Sequence, residues 1–129
     1  MADELRELKE REREILEALL GAEFPGLDQR RTQLDSMMVK QVSDDGTLIL
    51  HPRGGVPLPT HQMKLGVEAM YQDADGGQVA ILLHADGRGF LKMLEILKFD
   101  GSPILNPPSV RNIRVLPPES PGEHREPPI

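Results

Sequence analysis

The stretch from Val79 to Ile104, VAILLHADGRGFLKMLEILKFDGSPI, limits what this chain can fold into more than any other. It reads as two apolar strands, Val79 to His84 and Phe90 to Phe99, joined by an Asp-Gly turn and closed by a second one at Asp100-Gly101. Asp and Gly supply the backbone angles that tight turns demand, so apolar runs bounded by Asp-Gly signal an antiparallel hairpin. Side chains alternate across a strand. Val79, Ile81 and Leu83 therefore share a face with Phe90, Leu94 and Ile96. Ala80, Leu82 and His84 lie opposite, with Met93, Glu95, Leu97 and Phe99.

Other elements are assigned around that hairpin. Residues 3–20 read as helix, with Leu5, Leu8, Ile15, Leu16, Leu19 and Leu20 on one stripe. Arg11 and Glu12 interrupt the stripe. The spacing predicts a packed second half from Glu12 to Leu20, and a first half carried by the i,i+4 pairs Arg6–Glu10 and Glu7–Arg11. Gly21 is the expected stop. Phe24-Pro25-Gly26 is a turn, and Leu27 to about Met37 a short second helix. From Met38 the period becomes two. Val39 and Val42 bracket a strand, Asp44-Asp45-Gly46 is a turn, and Thr47 to His51 is the returning strand. The Pro/Gly-rich segment 52–62 is a loop, and Met63 to Gln72 a third strand, with Leu65, Val67, Ala69 and Tyr71 on one side.

Eight of the twelve prolines fall between Pro103 and Pro128, which rules out a central strand there. Val110 to Leu116 has room for a short edge strand through Ile113 and Val115. The expected fold is α+β: two N-terminal helices packed on one face of an antiparallel β-meander of about five strands, with a proline-rich C-terminal tail. Residues 1–116 form one domain in this reading, and 117–129 a flexible tail. Leu16, Leu19, Phe24, Leu34, Leu65, Val67, Val79, Ile81, Leu83, Leu94 and Ile96 make the expected core.

Composition removes several chemistries. The chain has no Cys, so disulfides, thiolate metal sites and cysteine nucleophiles are excluded. Its net charge of −6 argues against binding nucleic acid by bulk electrostatics and suits a basic protein partner, or plain solubility. The N-terminus carries no secretory signal and no apolar run is long enough to span a membrane, so a cytoplasmic setting is expected.

No motif commits the chain to an activity. Asp73-x-Asp75-Gly76 resembles the start of a calcium loop, but Tyr71 stands where a first ligand belongs and no bidentate Glu follows, so it reads as a turn. His51, His61, His84 and His124 show no metal-ligand spacing. Arg53-Gly54-Gly55 lacks the helix that a phosphate loop requires, and no serine has a nucleophile-elbow setting. No metal or other cofactor is expected. His84 and Glu95 share a sheet face and would serve as a general-base pair, or simply as a surface His and a surface Glu among apolar neighbours. No nucleophile accompanies them, which favours the second description.

The segment DGRGFLKMLEILKFDGSPI resembles the C-terminal signature of a family of small uncharacterised bacterial proteins: an Asp-Gly turn, L-x-E-L-E-I, then D-G-S-P-I. EREREILEALL and FPGLDQ resemble that family's N-terminal helix and turn, so the likeness covers most of residues 10–104. Met93 stands where the family has an acidic residue, while Glu95 is kept. The resemblance implies a fold and a bacterial cytoplasmic setting, and no catalytic residues.

The functional expectation is a non-enzymatic protein-binding module, immunity-like by analogy, with an acidic surface for a basic partner. The alternative is a small enzyme or ligand-binding protein using the sheet face around His84 and Glu95. The expected interaction face is Leu82, His84, Met93, Glu95, Leu97 and Phe99. Four of these are too apolar for a wetted face, so they are expected to be covered, by residues 103–116 or by a second copy. A monomer and a homodimer both fit the sequence.

Overall fold

The computed structural model describes residues 5–21, 32–57 and 67–116. Its centre is one antiparallel sheet of seven strands: β1 (Arg6–Glu7), β2 (Met37–Gln41), β3 (Leu48–Pro52), β4 (Val67–Gln72), β5 (Gln78–Ala85), β6 (Leu91–Lys98) and β7 (Arg114–Val115). The strands lie in the order β1-β2-β3-β6-β5-β4-β7. One helix, α1 (Glu10–Gly21), is described in full, and residues 32–35 are the helical end of a second. The α+β class and the antiparallel pairing agree with the sequence reading.

The order corrects the expected meander. β2–β3 is one hairpin and β4–β5–β6 a three-stranded meander, and the two units join through β3 and β6. That junction is short: only Leu48↔Leu94 and Ile49↔Met93 are in register. β4 occupies 67–72, and the rest of the predicted third strand lies outside the described residues. The edge strand expected near Ile113 and Val115 is β7, which pairs with β4 at Ala69↔Val115.

The helix expected over residues 3–20 does not begin until Glu10: residues 5–9 do not extend it, and residues 3 and 4 lie outside the described residues. Arg6 and Glu7 form β1 instead, paired with Val39 and Met38. Glu12 explains why. It is only 7% exposed, accepts two hydrogen bonds from the Arg6 guanidinium at 2.9 and 2.8 Å, and accepts the Lys9 amide at 2.9 Å. The last contact caps the first turn of α1 from its third position, as the glutamate of a capping box does. Burial alone would raise the Glu12 carboxyl. The bonds from Arg6 and Lys9 outweigh it and hold the group below its ordinary range. Arg6 thus pairs with Glu12 across a bend, not with Glu10 along a helix. The second helix also ends earlier than predicted, since Met37 already belongs to β2.

The core lies on one face of the sheet. Ile15, Leu16, Leu19 and Leu20 of α1 join Leu34, Val39, Leu48, Leu50, Ala69, Tyr71, Val79, Ile81, Leu83, Leu91, Leu94 and Ile96. The expected core residues with described side chains are all buried. Phe24 and Leu65 lie outside the described residues, as does the side chain of Val67. One parity assignment needs correcting. His84 pairs with Met93 and Ala85 with Leu91, leaving Lys92 as an extra residue in a β-bulge. The bulge reverses the alternation, so Leu91 and not Phe90 enters the core.

Candidate functional site

Three groups of side chains stand out: the outer face of the sheet, a buried ion cluster, and a basic groove. On the outer face, the pairings Glu95↔Leu82 and Glu68↔Leu82 set two carboxylate residues either side of one leucine. His84 Nε2 lies 3.1 Å from Glu95 Oε1, with side chains 45% and 37% exposed. Sequence alternation had placed this pair correctly. Leu97 is 45% exposed and Phe99 61%, while Leu82 and Met93 are half-buried. The six expected interaction residues therefore do share a surface. Neither His84 nor Glu95 lines the groove around Glu12 and Ile104, the one around Arg53 and Arg88, or the one around Asp45 and Ser102.

Residues 103–116 do not cover this face, on which Leu97 and Phe99 stay exposed. Ile104, Ile113 and Val115 pack against the core on the opposite side. The reason is the ion cluster, which the sequence reading missed. Lys98 Nζ, on a side chain only 2% exposed, donates to Asp73 Oδ2 at 2.9 Å, Asp75 Oδ2 at 2.7 Å and the Pro103 carbonyl at 3.1 Å. Asp73 also accepts the amides of Ala74, Leu105 and Asn106, each at 2.8 Å. Tyr71 Oη donates to the Asn106 carbonyl at 2.7 Å. The segment leaving β6 is thus tied back to the β4–β5 turn, on the core side. Burial would raise the Asp73 carboxyl, but the amide bonds and Lys98 hold it well below the usual carboxylate range. Lys98 is raised, by the hydrogen bond to Asp75 above all. Burial, helped by the charge of Asp73, pushes the Tyr71 phenol up to about 12.

A signal for this cluster was present. Lys98 follows Leu94 and Ile96 at period two, so a lysine stood at a core-facing position of a strand. A buried lysine requires an anionic partner. The turn Asp73-Ala74-Asp75-Gly76 supplied two. It is a turn, as predicted, and an ion-pair partner as well.

The third group lies where β3 and β6 part company beyond Ile49 and Met93. Gln33, fully buried, bridges the gap from the core side. Its amide donates to the carbonyls of Val56 at 2.8 Å and Gly89 at 3.0 Å, and accepts the Leu91 amide at 2.8 Å. Gly55 lies against the same helical end with φ +104°. A Cβ there would meet the Gln33 backbone nitrogen at 2.6 Å, so only glycine fits. Above the gap is an open groove of about 570 Å³. His51, Arg53, Arg88 and Lys92 line it.

No group of three or more His, Cys, Asp or Glu among the described residues is arranged to hold a metal ion. No helix among them is long and apolar enough to cross a membrane.

The chain belongs to a family described as Domain of unknown function (DUF6984), whose profile matches residues 5–108. That span takes in β1, the Lys98–Asp73 cluster and all four basic residues of the groove. No curated protein and no solved structure matches the chain.

Proposed function

We propose that the protein is a small non-enzymatic binding module, one domain over residues 1–116, that presents the outer face of its sheet to a protein partner. The carrying observation is the exposure of Leu97 and Phe99 on a face that neither α1 nor the 103–116 segment covers. Contiguous exposed apolar side chains mark interaction surfaces. Leu82, Met93, Leu97 and Phe99 supply the apolar contact. Glu95 and Glu68, either side of Leu82, suit a partner with a basic side chain at that point. The net charge of −6 favours the same partner. Immunity proteins are an analogy for such a small acidic module, and a bacterial cytoplasmic setting follows from the sequence resemblance.

The test compares the full chain with Leu97→Asp and Phe99→Ser variants. The wild-type chain, immobilised at physiological salt, is expected to retain a basic protein from extract of its source cell, and both variants to lose it. Retention of nothing, or equal retention by the variants, overturns the reading. A homodimer broken by the same substitutions would give the face to a second copy instead.

The His84–Glu95 contact supports a second reading, in which the face carries acid–base chemistry on a bound small molecule. It predicts that His84→Gln abolishes turnover but leaves capture of a protein partner intact.

A further inference from the structure

The basic groove has no place in the reading above. In a chain with 21 acidic and 15 Lys or Arg residues, four basic side chains line it and only one acidic residue does. Among the described residues, His51, Arg53, Arg88 and Lys92 form no ion pair, while Arg6, Arg13 and Lys98 each do. The one acid, Asp86, is already engaged. Its Oδ1 accepts the backbone amides of Arg88 at 2.8 Å and Phe90 at 3.1 Å, which closes the β5–β6 turn. Those bonds hold the carboxyl below its ordinary range. Arg88 is held in place too, its guanidinium 5.8 Å from the centre of the Phe90 ring. A cation stacked on a ring gives up less freedom when it binds an anion.

The backbone explains why these residues meet. β3 stays with β2 as far as Pro52, through Met37↔Pro52, while β6 stays with β5 through Ala85↔Leu91. Register between β3 and β6 stops at Ile49↔Met93. The strands splay, and the bulge at Lys92 marks the place. His51 and Arg53 line one bank. Arg88 and Lys92 line the other. Gln33 spans the gap beneath and fixes the Gly89 carbonyl and Leu91 amide. Cations unpaired on both banks of a groove with a fixed floor make a receptor for negative charge.

We propose that this groove binds a compact polyanion, a phosphorylated small molecule carrying a di- or triphosphate. Arg favours phosphate by offering paired donors, and Lys adds a point charge. Compactness follows from the rest of the surface. A long phosphate backbone would run from the groove onto an acidic protein and be repelled, whereas a small anion meets only the groove.

The experiment uses the full chain and backbone amide NMR. Inorganic pyrophosphate is titrated, with ATP and citrate in parallel and sodium chloride at matched ionic strength as control. Saturable shifts are expected at residues 51–54 and 86–92 with pyrophosphate and ATP, and not with chloride. Arg53→Ala and Lys92→Ala replace exposed side chains without hydrogen-bond partners, so both variants should fold. Each is expected to weaken binding about tenfold, the loss typical of one charge-assisted hydrogen bond. Absent shifts, shifts reproduced by chloride, or affinity unchanged in both variants overturn the proposal. A preference for citrate would replace phosphate with carboxylate and overturn it as stated. Tighter binding of single-stranded RNA or a phosphopeptide than of pyrophosphate would give the groove to a macromolecule and overturn it equally.

Discussion

Asp73 and Lys98 sit 2.9 Å apart with both side chains almost wholly shielded from water, and between them they hold the chain that follows β6. Asp73 and Asp75 have carboxyls held low, so their contribution to stability is complete above the ordinary carboxylate pKa of about 3.9 and is lost as pH falls through the depressed native values. Lys98 is raised, so its contribution is complete below the ordinary lysine value of about 10.4 and is lost as pH rises through the native one.

Asp73→Asn should release that clamp. An amide nitrogen in place of one oxygen would face Lys98 or a backbone amide, donor against donor. We expect a lower urea midpoint, a smaller loss of stability between about pH 4 and lower values than the wild type shows, and faster hydrogen exchange at Leu105 and Asn106. Unchanged exchange at those two amides would mean that the segment is held by other contacts.

Tyr71 is the chain's single tyrosine, so its titration can be followed without interference. The phenolate absorbance should appear only near pH 12 in the folded protein, against about 10 in urea. The shift is upward, so its contribution is complete below about pH 10 and drains away as the pH rises towards the native value. A folded-state midpoint near 10 would place the phenol in water.

Gln33→Leu should cost about 2–5 kcal/mol in urea unfolding, because two carbonyls and one amide lose their partner in a buried setting. Gly89, Leu91 and the loop at Val56 should show the largest chemical-shift changes. A loss within about 0.5 kcal/mol, the scale of ordinary surface substitutions, would show that water replaces the amide.

Phe99→Ser should leave unfolding unchanged within about 0.5 kcal/mol, since the ring is 61% exposed and outside the core. A substantial loss of stability would mean that the ring is buried in the working state of the isolated chain, by self-association or by a segment outside the described residues.

Legibility in the sequence followed the range of the signal. β5 and β6, with their Asp-Gly turn and alternation, could be read almost residue by residue, and so could the meeting of His84 and Glu95. Both depend on neighbours in one hairpin. The junction of β3 with β6 could not be read, because pairing between distant strands leaves no local pattern. β1 was hidden by a charge pattern that suits a helix equally well. The bulge at Lys92 hid the entry of Leu91, since strict alternation is assumed until a structure breaks it. Lys98 was legible in principle. It broke an apolar series, as Glu12 broke the stripe of α1, and each break marks a buried charge with a partner. The basic groove gathers residues from two loops and two strands, and Arg53 alone gave no hint of Arg88.

Each border of the sheet is closed by a strand of two residues: β1 beside β2, and β7 beside β4. Both come from near the chain's ends, and they become available at different times. While a ribosome builds the protein, β1 exists before the strand it shields. β7 is made only after β4, β5 and β6 are complete, and until then β4 is an open border inviting another chain. The pairing of Val115 opposite Ala69 and the bond from the Leu116 amide to the Glu68 carbonyl end that exposure. The proline-bearing stretch from 103 to 116 thus acts as a late-arriving guard, and the Lys98–Asp73 clamp delivers it to its post.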